Sequence, residues 1–420
     1  MSQQVTAATA PDTGLDQHDA PVEAAAHSRT ADVPTLLNRL QVAAVAACVL
    51  FGVITAGLQL LAWQANRAAA DNTEQLVRVQ NIQSTLYRAD ALATNAFLIG
   101  GLEPPAQRQA YDDAIDQVSR SITDAAEAQS ADRDVLADLN TTVNRYSTSV
   151  ELARANNRQG FPVGAEYLLT AGGQLRAEAG PIITALVDAN AQRSEDAMGA
   201  HQPWLLLLPG LLAFALLFWV NRQLAARFRR RFNIGIVAAA AAVAVLTLVA
   251  IVVSQGQRSD NQDLLDGSYK NAVDEASART AGNDAKANES LRLIKRGSGQ
   301  VYEDAWAAAD NKVRNTTSAD AAWDRYAAVH RRIVTLDNNG RWDDAVQLAT
   351  TARAGGSTVA FEAFDEQSRE TVASSGRTTT DELRAGNSGI LVLAVLTLLA
   401  GLAAAGAAAW GVGQRRKEYA

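Results

Sequence analysis

The sequence predicts an all-α fold in which four transmembrane helices carry two extracytoplasmic antiparallel four-helix bundles. Three observations lead there. Four apolar runs, 41–63, 204–220, 232–254 and 389–410, are long enough to cross a bilayer as helix, which takes about 17–25 residues. The stretches between them step their apolar residues by three and four, as bundle and coiled-coil seams do, rather than alternating as strands do. A skeleton also recurs. "NRYSTSVELARANNRQGFPVGAEYLL" (144–169) and "DRYAAVHRRIVTLDNNGRWDDAVQLA" (324–349) share Arg145/Arg325, Tyr146/Tyr326, Gly160/Gly340, Ala165/Ala345 and Leu168/Leu348, each pair 180 positions apart.

Composition narrows the chemistry. The chain is 48% hydrophobic but only 6% aromatic, so much of its apolar content is alanine. Its single cysteine, Cys48, lies inside the first apolar run, which leaves no disulfide framework and no thiolate metal site. The four histidines lack ligand spacing, and no metal is expected. A net charge of −7 argues against a nucleic-acid partner. No P-loop, H-E-x-x-H, dinucleotide fingerprint or nucleophile elbow occurs, so neither enzyme activity nor a cofactor is expected. Acidic pairs such as Asp112-Asp113 and Asp343-Asp344 fit solvated faces or first helical turns.

The elements follow in order. Residues 1–35 are acidic, rich in Ala, Thr and Pro, and lack an apolar core; they read as a disordered cytoplasmic tail rather than a leader. "VAAC" (45–48) has the look of a lipoprotein cleavage site, but hydrophobicity continues to Trp63, so Cys48 reads as a buried membrane cysteine. Segment 64–203 is the first bundle. Its first helix ends at Gly100-Gly101 and Pro104-Pro105, its second near Ser130 and its third at Gly160 and Pro162. The fourth returns to the membrane, disturbed at Gly180-Pro181. The seam of the third helix is Leu136, Leu139, Val143, Tyr146 and Val150. The second span, 204–220, is the shortest and carries a Pro209-Gly210 kink. A basic loop, 221–231, holds Arg222, Arg227, Arg229, Arg230 and Arg231. After the third span, 255–388 forms the second bundle, with turns near 297–299, 316–318 and 338–340. The fourth span leads to a short tail, 411–420, with Arg415, Arg416 and Lys417.

Arginine sets the orientation. Arg39, the basic loop and the final tail fall on one side, so by the positive-inside rule both termini are cytoplasmic in a multi-pass cell-membrane protein. The recurrence also extends beyond the opening skeleton. At an offset of 191, 232–254 overlays 41–63, Arg67 meets Arg258, Arg88 meets Arg279 and Tyr111 meets Tyr302. The offset then drops to 180, so the second copy is shorter by 11 residues, about three helical turns.

Two groups of residues are candidates for function. The distal turns hold Asn157, Gly160 and Phe161 in one copy and Asn339, Gly340 and Trp342 in the other. Asn and Gly there suit helix caps and left-handed turns; the aromatic just past each glycine suits a partner-docking anchor. The equivalent Arg88 and Arg279 suit either carboxylate binding or a salt bridge, for instance with Asp90. His330, aligned with Val150, reads as a bundle residue rather than a pH sensor. The spans contain small residues and no central charge, which fits helix packing better than transport.

Helical pairs rising from membrane spans and closing into four-helix bundles resemble the sensor domains of bacterial chemoreceptors. The chain lacks the inner signalling segments of that family. Duplicated bundles, four spans, alanine richness and no effector together resemble the GlnX membrane proteins of actinobacteria. That resemblance implies a relay between an extracytoplasmic glutamate/aspartate-binding lipoprotein and a separate cytoplasmic Ser/Thr kinase, with room for a homodimer. The alternative is an envelope-organising scaffold that senses nothing.

Overall fold

The computed structural model describes residues 22–100, 103–159, 163–200, 202–228 and 233–417, with backbone alone at 22–34, 227–228 and 415–417. Every α- or 3₁₀/π-element among them is helical and none is a strand. The α-helices are α1 (Val22–Ile99), α2 (Pro105–Ala128), α3 (Arg133–Arg158), α4 (Val163–Gln174), α5 (Gly180–Gly199) and α6 (Leu207–Phe228). They continue as α7 (Ile234–Leu264), α8 (Lys270–Ile294), α9 (Gln300–Thr316), α10 (Asp320–Asn338), α11 (Trp342–Thr350) and α12 (Ser357–Lys417). Four helical stretches, Thr35–Ile99, Val163–Ala226, Ile234–Ile294 and Ser357–Gln414, are long and apolar enough to cross a membrane. The chain divides into two compact units, one from 1–58, 203–251 and 393–420, the other from 59–202 and 252–392.

The first unit gathers the apolar runs. Its centre packs Leu37, Leu40, Phe51, Leu217, Val220, Val243 and Val412 among alanines. Its outside exposes Leu50, Leu212, Phe218, Val245, Leu248, Leu396 and Leu399. A surface this apolar suits hydrocarbon rather than water, because backbone groups are satisfied within each helix. Glycine brings helices close. A Cβ on Gly235 would fall 2.3 Å from the Ala407 carbonyl oxygen, and one on Gly52 3.2 Å from Gly401 Cα. Asn233 caps α7: its Oδ1 accepts from the backbone N–H of Gly235 at 3.1 Å and of Ile236 at 3.3 Å. Its Nδ2 donates to the Gly411 carbonyl at 2.7 Å.

The second unit is a helical body with four cores. One, from Val79 through Tyr111, Leu136, Tyr146 and Leu168 to Leu186, draws its buried members from 59–202 alone. Another, around Trp306, Trp323, Tyr326, Phe361 and Phe364, draws on 252–392 alone. The remaining two are shared. Ala69, Leu76 and Met198 pack with Leu264, Tyr269 and Leu383, and Leu98 packs with Leu293, Ile333 and Ala345. Burying such side chains stabilises by about 1.5–3 kcal/mol each, so these mixed cores bind the two segments into one body.

Helix ends fall where the breakers lie. α1 stops before Gly100, whose φ of +68° is left-handed, and α2 starts with Pro105 at its first position. The disturbance at Gly180-Pro181 is a π-turn over Leu175–Ala179, in which the Gly180 N–H bonds the Leu175 carbonyl. Pro181 has no N–H to continue the ordinary ladder, which accounts for the wider turn. The middle helices of the second segment are shorter, 17 and 19 residues for α9 and α10 against 24 and 26 for α2 and α3.

Three features differ from the sequence reading. Helix α1 begins at Val22, so a helix replaces the disordered tail over 22–35, while 1–21 lie outside the described residues. An unforeseen break at 351–356 separates α11 from α12, with Gly355 at φ +87°. A second π-turn, Leu265–Tyr269, holds Gly267 at a non-helical φ −109°, ψ −108° and kinks the path from α7 to α8.

Candidate functional site

Arg88 on α1 and Arg279 on α8, matched in the sequence, meet at one carboxylate. Asp365 on α12 accepts from Arg279 Nε at 2.8 Å through Oδ1 and from Arg279 Nη2 at 3.3 Å through Oδ2. Arg88 Nη1 bonds the same Oδ2. Arg279 Nη1 donates to Ser84 Oγ at 3.0 Å and Asn81 Oδ1 at 3.2 Å, both on α1, and Asn283 Nδ2 donates to Asp365 Oδ1 at 2.9 Å. The spacing explains the convergence. Asn81, Ser84 and Arg88 step by three and four along one face of α1, and Arg279 and Asn283 are one turn apart on α8.

Two cations around one anion leave a surplus positive charge in a largely dry place. Arg279 and Asp365 keep 5% and 2% of their side-chain surface, whereas Arg88 keeps 30%. Burial pushes the Asp365 carboxyl up, but the charges of Arg279 and then Arg88 outweigh it and hold its pKa at about 2. A cavity of about 360 Å³ opens beside the trio, lined also by Thr85, Asp113, Gln117 and the Arg369–Glu366 ion pair.

The salt bridge expected between Arg88 and Asp90 is not formed; that is a correction. Asp90 Oδ1 accepts from the Tyr146 hydroxyl at 3.1 Å, and its Oδ2 lies 3.0 Å from Arg176 Nη1. The second contact is a charge pairing without hydrogen-bond alignment. Arg176 also donates from Nε and Nη2 to Asp284 Oδ1, at 2.9 and 2.6 Å. Asp90 follows Arg88 by two residues, and two residues on a helix point to different sides. Burial lowers the tendency of Arg176 to stay charged, yet Asp90 and then Asp284 raise its pKa overall.

His330 is more involved than a bundle filler. It is fully buried, with Nδ1 3.0 Å from Glu289 Oε2 and Nε2 3.3 Å from Glu303 Oε2. Its ring stacks on Trp306 at 3.8 Å between centroids, 8° from parallel. Glu289 Oε1 also accepts from Lys286 Nζ at 2.6 Å and Ser357 Oγ at 2.6 Å. Burial resists charging His330, but hydrogen bonds to Glu289 and Glu303 prevail and raise its pKa. Burial likewise raises Glu289, and the Lys286 charge followed by the His330 hydrogen bond brings it down to about 2.

The distal turns divide. Asn157 is half-buried and donates Nδ2 to the Phe97 carbonyl at 3.3 Å, tying α3 to the end of α1. Gly160 and Phe161 lie outside the described residues. Asn339 and Gly340 are exposed, and Gly340 takes the left-handed φ of +76° that its turn requires. Trp342 is not the free aromatic tip the sequence suggested. It is half-buried, its Nε1 donates to the Leu293 carbonyl at 2.9 Å, and the Arg296 guanidinium lies over its ring at 3.3 Å. Of the basic loop, Arg222 is exposed on α6; the Arg227 side chain and Arg229, Arg230 and Arg231 lie outside the described residues.

Sequence reasoning missed Asp365, Glu289 and Arg176. A signal for the first was present: Asp365 sits among Phe361, Phe364, Ser368 and Val372, a buried stripe stepping by three and four. A charge in such a stripe requires a partner.

Comparison with known proteins bears on the first segment. Searches of curated proteins and of solved structures find no match. Residues 64–199, which lie between the first two apolar runs, match the family model of the actinobacterial sensor domain.

Proposed function

We propose that this chain is an integral membrane signal transducer, with 64–203 and 255–388 as two copies of an extracytoplasmic sensor module. The observation that carries the reading is the sensor-domain match over 64–199, whose two ends belong to helical stretches, Thr35–Ile99 and Val163–Ala226, long and apolar enough to cross a membrane. A solute, an amino acid among the candidates, or a solute-binding lipoprotein engages the extracytoplasmic unit. Binding favours one of two packings of α1 against α12, a slide of ångström scale. A separate cytoplasmic effector, such as a Ser/Thr kinase, reads the change at the basic segment that includes Arg222.

Helices α1 and α12 come close enough at one point for a crosslink to report on their packing. A Cβ on Gly386 of α12 would sit 3.7 Å from Asn66 Nδ2 of α1, ordinary contact distance. The test places cysteines at both positions (Asn66→Cys, Gly386→Cys) in a Cys48→Ser background and follows disulfide formation in cells under varied nutrients. A nutrient-dependent crosslinking rate supports transduction. A constant rate, with no nutrient-dependent partner captured, overturns it in favour of an envelope scaffold.

A further inference from the structure

A second cavity in the extracytoplasmic unit, of about 200 Å³, lies among α1, α2, α8 and α12. We propose that it binds a small apolar α-amino acid as its zwitterion, with the carboxylate on Arg88 and the ammonium on the side-chain oxygens of Asn283 and Gln107. This inference rests on the sensor reading and names the ligand class for it.

The polar wall carries the argument. Asn283 is fully buried, and its Nδ2 already donates to the Arg279 carbonyl and to Asp365, both at 2.9 Å. Those bonds fix the amide orientation and leave Oδ1 as the free end, and Oδ1 has no partner. Gln107, on the same cavity, likewise has a buried Oε1 with no partner. Buried acceptors are normally satisfied, and two on one cavity call for a ligand with several N–H donors. An ammonium has three.

The charges supply the other end. Asp365 is shared by two guanidiniums, so the pair of arginines exceeds its carboxylate by one charge. Arg88 is the more exposed of the two and lines the cavity, where its remaining N–H groups can receive a ligand carboxylate bidentately. Glu362, exposed on the same wall, places a negative charge where an ammonium benefits. Ala91, Leu92, Ala106, Ala110 and Phe361 give the wall an apolar side, while Asn95 and Thr358, also on it, spend their donors on the Ala349 carbonyl at 3.2 and 3.0 Å.

The same inventory selects against an acidic side chain. The other cation on the wall is Lys286, whose ammonium donates to Glu289 Oε1 at 2.6 Å, Ser357 Oγ at 2.9 Å and the Ala349 carbonyl at 3.2 Å. Its three protons are all engaged. A second ligand carboxylate would find no free cation and would face Glu362. An aliphatic side chain can pack against Ala91, Leu92, Ala106, Ala110 and Phe361.

The experiment is thermal unfolding of the full chain in lipid nanodiscs, titrated with L-leucine, L-valine and L-methionine. Controls are 4-methylpentanoate, which lacks the ammonium, isopentylamine, which lacks the carboxylate, and L-glutamate. We expect a saturable rise in Tm with the apolar amino acids and a loss of affinity of about tenfold or more for each truncated analogue. Gln107→Leu weakens binding by about tenfold while the ligand-free Tm holds, because the oxygen removed has no partner. Arg88→Gln weakens binding at the carboxylate end by a similar factor and also lowers the ligand-free Tm, because its bond to Asp365 is lost. The proposal falls if no apolar amino acid raises Tm, if the analogues bind as well as the amino acids, or if Gln107→Leu leaves affinity unchanged. Stabilisation by L-glutamate alone, or nutrient-dependent Asn66–Gly386 crosslinking without any amino-acid binding, would sink the cavity assignment and leave the transducer reading standing.

Discussion

Arg279 holds Asp365 through both carboxylate oxygens, from a helix more than eighty residues earlier in the chain. The pair is side-on, with two nitrogens facing two oxygens, and it is dry. Buried ion pairs are weak evidence of net stabilisation, since desolvation offsets attraction, but removing one partner is costly. Asp365→Ala is therefore expected to destabilise the full chain by about 3–5 kcal/mol, read by thermal or chemical unfolding in nanodiscs. A loss below about 1 kcal/mol would mean that the two guanidiniums find water or another anion.

Arg88 reaches the same carboxylate but stays 30% exposed. In double-mutant cycles the Arg279–Asp365 coupling is expected to exceed the Arg88–Asp365 coupling. Exposed pairs contribute about 0.2–1 kcal/mol. Equal couplings would contradict the difference in burial.

His330 and the two lowered carboxylates act at opposite ends of the pH scale. The His330 pKa is raised above its ordinary 6.5, so its contribution is complete below that value and is lost as pH rises through the folded pKa. Asp365 and Glu289, held at about 2, contribute fully above their ordinary 3.8 and 4.5 and lose that contribution as pH falls toward 2. The stability gap between the natural chain and His330→Gln should accordingly narrow on going from pH 6 to the alkaline side of the folded pKa. A gap that stays constant across that range would refute the charged-histidine assignment.

Gly340 turns the chain between α10 and α11 at φ +76° with nothing within 4 Å of a built Cβ. Gly340→Ala should therefore cost backbone strain alone, about 1–2 kcal/mol. A larger loss would point to a steric role that the open surroundings do not show.

Gly235 is the opposite case. Its missing side chain lets α7 approach α12, and a Cβ would meet the Ala407 oxygen at 2.3 Å and Gly411 Cα at 2.7 Å. Gly235→Ala is expected to cost about 1–3 kcal/mol, whereas Gly406→Ala, with open space around it, should be neutral. Equal effects would argue against close packing at that crossing.

Much of the helical plan was legible because breakers are local. Gly100, Pro105, the Ser130 region and the 297–299 turn announce helix ends through φ, a missing N–H or a weak propensity, with no need of a partner. The step of three and four likewise showed which side of α3 faces inward. It could not show which helix lies opposite. Arg88 and Arg279 were singled out as equivalent, yet the carboxylate that joins them is 86 residues beyond Arg279, and only packing brings it there. Asp90 looked like the partner of Arg88 because it was near in sequence, and helical geometry sends the two apart. Trp342 looked exposed because its turn is polar, although its indole N–H reaches back to Leu293. The break before Ser357 has a local signal too, Gly355-Gly356, the first of which takes a left-handed φ of +87°.

Arg88 belongs to 59–202 and Asp365 to 252–392, and Leu98 fills a pocket made otherwise by the latter. Cutting the polypeptide at the basic loop would strand a guanidinium in one half and leave a hole in the other. Each half keeps a core of its own, yet part of its interior is completed only by the other.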